Sequence, residues 1–251
     1  LGPVNLLLLA ALLLAGTLLC IGRLGRWSAQ RSSAPMSAAQ EPLGGSILAG
    51  LTLIVRSPYL LGVALFMLLF TTLSTFLYFE QAHIVAQSFA SAAERTRFFA
   101  LLDLAVNTLT VATQVLITSR LLARLGVAGS LALLPVLSAL GFALLALTPV
   151  LAVLAGFQVL RRAGEYAITR PARELLYTVV DRETKYKAKN ALDTVVYRGG
   201  DALAGWLFAG LKSLGLGLAA VAWVAVPLAL VWAAVAVWLG RRQAVLSRNN
   251  R

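Results

Sequence analysis

The sequence predicts an all-α polytopic membrane protein of about seven transmembrane helices, and three observations carry that prediction. Hydrophobic residues make up 59% of its 251 residues and charged residues 13%, a balance foreign to soluble domains. Apolar runs of roughly 20 residues, enough to cross a hydrocarbon core of about 30 Å, recur along the chain. The basic residues gather mostly in alternate short loops, as the positive-inside rule requires. The organisation that follows is a transmembrane helix over 1–22, a cytoplasmic linker with an interfacial helix over 23–58, a six-helix transmembrane bundle over 59–239 and a basic cytoplasmic tail over 240–251.

The first span, 3–22, is apolar apart from Asn5 and Thr17. No basic stretch precedes it and Arg23 and Arg26 follow it, which argues for a transmembrane helix opening a fragment rather than a signal peptide. The linker holds four Arg, one Glu and a Ser/Ala/Pro/Gln-rich middle over 28–42 that reads as flexible. Within it, 47–56 is apolar but too short to span and is expected to lie on the membrane surface. Pro58 suits the first turn of the next helix.

Span two covers 59–79. In the loop expected over 80–97, His83 has no Cys, His or carboxylate cluster around it, so no metal site is expected. Span three, 98–119, carries Asp103, Asn107, Thr110 and Gln114 at spacings of 4, 3 and 4, which is one helical face. Lipid cannot satisfy such a stripe. It either lines a cavity or bonds to neighbouring helices, and the spacing does not choose between them. A basic loop over 120–126, span four over 127–147, an uncharged turn at Thr148-Pro149 and a long span five over 150–180 follow, the last bent by Pro171. Span six covers 190–211, and span seven, 216–239, carries Trp223, Trp232 and Trp238.

Seven spans put the two ends on opposite sides. One side collects the linker's four Arg, Arg120 and Arg124, then Arg182, Lys185, Lys187 and Lys189, then the four Arg of the tail: fourteen in all. The other collects Arg95, Arg97 and Lys212. The basic side is therefore expected to be cytoplasmic, with the C-terminus inside. A net charge of +12 on a chain without zinc spacing, RNA-binding signature or long basic helix does not point to nucleic acid. The single Cys20 excludes an intrachain disulfide framework.

Against this apolar background, residues 157–201 carry nine Lys/Arg and six Asp/Glu. An Arg at the bilayer centre costs about 2.5–3.5 kcal/mol on insertion scales, so these residues must pair or line a wet cavity. Arg162, Tyr166, Thr169 and Arg173 share one helical face, with Arg161 and Glu165 beside them as an i,i+4 pair. Asn190, Asp193/Thr194, Tyr197 and Asp201 share another in span six. Arg161 and Arg162 lie roughly 17 Å from the outer end of span five, and Asp201 about as deep from the inner end of span six. Adjacent antiparallel helices would join them as Arg–Asp pairs near the midplane.

Two readings follow. In one, these charges are a structural clasp between helices or subunits. In the other, Arg161, Arg162, Glu165, Asp193, Arg198 and Asp201 form a switchable network traded for a charged solute as a cavity opens. The excess of basic residues favours an anion, because guanidinium binds phosphate or carboxylate bidentately. An enzyme would need a nucleophile–base pair, metal ligands or a Gly-rich phosphate loop, and a channel a filter or repeated pore ring; none is legible, and no cofactor is expected.

Six spans after a long cytoplasmic linker, with Ala123-Arg124-Leu125-Gly126 in the basic loop, resemble the C-terminal half of a major facilitator superfamily transporter. The stretch from Arg170-Pro171-Ala172-Arg173-Glu174 to Lys187-Ala188-Lys189-Asn190-Ala191-Leu192-Asp193 resembles the bacterial branch of the ATP:ADP exchanger family. Lys187, Lys189, Ala191 and Asp193 fit that family's Lys-Gly-Lys-Ala-Ala-Ile-Asp-like run, while Ala188, Asn190 and Leu192 depart from it. Asp201 stands where the family tends to hold a Lys. The resemblance implies a bacterial inner-membrane carrier with an upstream half, two halves rocking about a central site, and a nucleotide or other organic anion as cargo. Tyr166, Tyr197, Asp103 and Asn107 join the network as candidate solute contacts. Lys185, Lys187 and Lys189 either touch cargo or anchor their loop at anionic lipid.

Overall fold

The computed structural model describes residues 3–31 and 47–249. Most of the flexible middle expected over 28–42 lies outside them, as does Arg251. Among the described residues every element is helical and no strand occurs, so the chain is an all-α membrane protein. Four helical stretches among the described residues are long and apolar enough to cross a membrane: Leu7–Trp27, Pro58–Ser88, Ala92–Leu147 and Leu218–Asn249.

The chain divides into two units, Leu1–Gly44 and Gly45–Arg251. The first holds α1 (Pro3–Arg31), which runs past the expected residue 22 and exposes Leu7, Leu12, Leu18 and Ile21, as a lipid-facing helix would. The second holds α2 (Ile47–Arg56), α3 (Pro58–Ser88), α4 (Ala92–Thr113), α5 (Ser119–Leu147), α6 (Leu151–Gly164), α7 (Arg170–Leu176), α8 (Arg182–Ala191), α9 (Tyr197–Ser213) and α10 (Leu218–Asn249). Helix α2 forms where expected, but it packs on α8 and buries Ile54, so it is part of the bundle.

The stretch Ala92–Leu147 spans 56 residues, roughly 84 Å if straight and more than twice a bilayer's hydrocarbon. It turns back at Gly126, whose φ of 64° and ψ of −171° break the helix. Only glycine takes that left-handed φ without a Cβ penalty. Contacts fix the reversal. Asp103, Gln114 and Thr118 meet Arg162, Tyr166 and Ala167 in turn, so α4 runs parallel to α6. Phe142 packs on Phe157 with ring centroids 5.2 Å apart, and Leu134 lies beside Gly164, so α5 runs antiparallel to it.

Charged loops shrink in the same way elsewhere. The loop expected over 80–97 is helix up to Ser88, which leaves His83 exposed on α3 and Glu80 buried. Helix α4 then begins at once with a capping box: Ser91 Oγ accepts from the Glu94 N–H at 3.2 Å while the Ser91 N–H donates to Glu94 Oε2 at 3.1 Å. The basic segment 120–126 is helical as well up to Leu125, just before the break at Gly126, and so is the tail up to Asn249. Polar composition marked these stretches as loops, yet each continues its helix beyond the apolar run.

The core is aromatic and small-residue in alternation. Trp232 on α10 lies 5.3 Å from Phe66 and 5.8 Å from Phe70 on α3, ring to ring. Phe208 on α9 stacks on Phe79 at 4.6 Å. Ala225, Ala229 and Ala236 are fully buried, letting α10 approach its neighbours closely.

Helix α8 starts at Arg182, well ahead of the expected residue 190, because Asp181 caps it: Oδ2 accepts from the Thr184 N–H at 2.8 Å. That bond holds the Asp181 carboxyl below its usual range. A carboxyl lowered by folding stabilises the fold above its unfolded pKa and loses that contribution as pH falls through the folded one. Asp181→Ala is therefore expected to cost about 1 kcal/mol. It should also remove the cap's share of the acid-side loss of stability below roughly pH 4, read by thermal unfolding in detergent across that range.

Candidate functional site

The site begins with Pro171. Proline has no N–H to give to the carbonyl four residues back, Ala167, and its ring crowds that oxygen. The helix widens instead: α6 passes into a π-helical turn, Glu165–Thr169, before α7 starts at Arg170. The carbonyls left over are taken from the α4 side, where a second π-helical turn, Gln114–Thr118, links α4 to α5. Thr118 Oγ1 donates to Ala167 O at 2.8 Å and Gln114 Nε2 to Tyr166 O at 3.3 Å. The lower end of the polar stripe is therefore spent on a neighbouring helix.

A π turn also changes which residues face one another. In a regular helix residues five apart point about 140° apart, but an i→i+5 turn stacks them. Arg170 accordingly reaches back to Glu165 at 3.3 Å, with its guanidinium 4.4 Å over the Tyr166 ring. The face expected to unite Arg162, Tyr166, Thr169 and Arg173 is split. Arg162 and Tyr166 line a cleft, Thr169 is buried, and Arg173 turns toward Asp193, at 3.8 Å.

That cleft has a volume of about 280 Å³. Helix α3 gives it Phe70, Ser74, Tyr78 and Gln81; α6 gives Gln158, Arg161 and Arg162; the π turn gives Glu165 and Tyr166; Arg170 and Tyr197 close it. Arg161 is only 6% exposed. Its Nη2 donates to Ser74 Oγ at 2.6 Å, its guanidinium carbon lies 5.5 Å from the Phe70 ring centroid, and its Nε has no partner. Among the described residues, no ion pair includes it. Beside it, Gln158 Nε2 donates to Gln81 Oε1.

Arg162 does have a carboxylate, Asp103 on α4, at 2.6 Å. The pair sits at the upper end of the polar stripe, and both side chains are open, 33% and 55% exposed. A double-mutant cycle with Arg162→Gln and Asp103→Asn is expected to give a coupling of at most about 1 kcal/mol in unfolding measurements, the usual worth of an open ion pair. Asn107, between the two ends of the stripe, is exposed.

The remaining charges of 157–201 fall outside the cleft. Lys189 binds Glu174 at 2.7 Å, which with Arg173–Asp193 ties α7 to α8 and to the π-helical turn Leu192–Val196, while Lys187 binds Glu183 at 2.6 Å within α8 itself. Lys185 is half-buried on α8. Arg198 and Asp201 lie on α9, and no ion pair of the described residues includes either. The midplane pairing expected between Asp201 and Arg161 or Arg162 is not formed. Both α6 and α9 pack on α3 instead, where Ser74 meets Arg161 and Thr71, one turn away, meets Gly200.

The cleft thus unites Arg161, Arg162, Glu165, Tyr166 and Tyr197 from the expected set and leaves out Asp193, Arg198, Asp201, Asn107 and Asp103, the last of which meets it only through Arg162. It adds Phe70, Ser74, Tyr78, Gln81, Gln158 and Arg170, which sequence reasoning did not place in the site. Their signal was present: Ser74, Tyr78 and Gln81 recur at 4 and 3, the same period as the stripe on α4. No family model, curated protein or solved structure matches the chain.

Proposed function

We propose that this chain is part of a secondary active transporter that moves a small organic anion by alternating access, with nucleotides among the candidate cargoes. One observation carries the reading. Arg161 is buried at a polar cleft, bonded to a neutral hydroxyl, and has no carboxylate within ion-pair distance among the described residues. The cleft's own carboxylate, Glu165, pairs with Arg170 instead, and a guanidinium at bilayer depth without a directly paired counter-ion is costly. A phosphate or carboxylate entering the cleft would bring the negative charge that Arg161 lacks in direct contact. Tyr166 and Tyr197 offer ring faces for the rest of the solute, and Arg162 and Arg170 add positive potential.

A volume of about 280 Å³ is near the lower bound for small-molecule sites. It suits a small anion, or the charged end of a larger one whose remainder would contact the upstream half-bundle that the resemblance implies. Placement in a bacterial inner membrane with the C-terminus inside belongs to the same reading, as does a non-enzymatic role. The clasp reading is favoured at a different place: Arg173–Asp193 and Glu174–Lys189 join neighbouring elements, and those residues we assign to helix assembly. The test is a thermal-shift screen of the full-length protein in detergent against ADP, ATP and a panel of phosphorylated and carboxylated anions. Saturable stabilisation by at least one anion, absent with its uncharged analogue, is the expected result. A flat response to the whole panel would remove the anion-carrier reading.

A further inference from the structure

A larger cleft lies apart from Arg161, at the end of the bundle where α2, the start of α3, the start of α8 and the end of α10 converge. Its volume is about 690 Å³. Two arginines stand at it, Arg56 from the last turn of α2 and Arg242 from α10, over a wall that includes Leu53, Trp238 and Leu246. Both arginines are exposed, and no ion pair among the described residues includes either. The one carboxylate at the cleft, Asp181, is occupied in capping α8.

Trp238 is shared with a second, apolar groove of about 440 Å³ between α3 and α10, lined by Leu61, Gly62, Leu65, Ala234 and Val235. From Pro58 to Leu65 on α3, and from Arg242 back to Ala234 on α10, the groove extends the cleft by roughly 10 Å along the helix axes. The Trp238 indole packs directly on Gly62, where a Cβ would run into it, and so forms a wall of both. The combined trough is cationic at one end and apolar along its length. A free phosphate would use the cationic end alone; an anion carrying an alkyl chain would use both.

We infer that this trough holds an anionic phospholipid, its phosphate between Arg56 and Arg242 and one acyl chain along Trp238 into the groove between α3 and α10. Guanidinium is the side chain suited to phosphate, and tryptophan at headgroup depth beside an acyl chain is its usual membrane position. Helix α2, expected to lie on the membrane, would instead form one wall of a lipid site. The inference stands independently of the cargo cleft.

Native mass spectrometry of the full-length protein, released from detergent with equal amounts of phosphatidylglycerol and phosphatidylcholine, tests it. The expected result is several-fold preferential retention of phosphatidylglycerol, falling to the phosphatidylcholine level in Arg56→Ala/Arg242→Ala. Ala234→Trp, which fills the groove at an exposed position, should also lower retention, whereas Arg124→Ala, an exposed arginine elsewhere, should not. If the double alanine variant does not fold, Arg56→Gln and Arg242→Gln singly should each reduce the preference. Equal retention of the two lipids by the unaltered protein, an undiminished preference in the arginine variants, or full displacement of the lipid by inorganic phosphate would each overturn the proposal.

Discussion

Arg161→Ala is expected to weaken anion-dependent stabilisation by roughly one to two orders of magnitude in ligand concentration and to abolish uptake while leaving an inserted, folded protein. Two facts set that outcome. Ser74 loses its arginine but not its bonding, since Ser74 Oγ also lies 2.6 Å from Phe70 O in its own helix. Removing a buried charge that has no ionic partner takes away a desolvation cost along with a contact, so the unfolding temperature should change by only a few degrees. The lost interaction with cargo is a hydrogen bond to a charged group, worth about 1.5–3 kcal/mol, or roughly a 10- to 100-fold rise in apparent Kd. Arg161→Lys keeps the charge but not the planar fork and should fall between. Binding isotherms for the anion that best stabilises the protein, run on all three proteins, measure this directly. A structural Arg161 would show the opposite pattern, with unchanged affinity and a large loss of stability.

Thr118→Val should be the most damaging change outside the cleft. It removes the donor to Ala167 O, in a residue that is fully buried, and Pro171 has no N–H to take its place. An orphaned buried acceptor costs about 1–3 kcal/mol, which is roughly 2–12 °C in unfolding temperature for a bundle of this size. The two changes are coupled. Pro171→Ala restores an N–H for Ala167 O and lets the π turn close, so Thr118→Val should cost far less on that background. The same closure would rotate Arg170 away from Glu165 and disturb the cleft, so Pro171→Ala is expected to bind anion weakly even where it unfolds later. Additive effects of Thr118→Val and Pro171→Ala on unfolding would contradict this account of the turn.

How much of this was legible beforehand depended on whether each feature broke an expectation of composition. Long apolar runs announced α1, α3 and α10, because only a lipid-facing or core helix is apolar for that long. Arg161 and Arg162 announced themselves as charges closing an otherwise apolar run. Ser74 did not, because a serine satisfied by its own helix costs a membrane span little. The π turns were invisible to a 3.6-residue period: Pro171 signals that a helix must yield, but not that it yields by admitting one residue over Glu165–Thr169. That single residue separates Arg162 from Arg173, and it is why one predicted network became a cleft and a clasp. The turn expected over 120–126 falls at its last residue alone, for a related reason. Arginines there suggested exposed coil, whereas the chain stays helical until the one glycine able to turn it, Gly126.

The central claim is that the cleft around Arg161 takes an anion across the membrane. Its most direct test is uptake of labelled anions by the full-length protein in proteoliposomes, with Arg161→Ala reconstituted alongside at equal protein content. The account predicts saturable uptake of at least one phosphorylated or carboxylated anion, lost in Arg161→Ala although that variant inserts and unfolds normally. Uptake of no anion, or uptake that survives loss of Arg161, would contradict it.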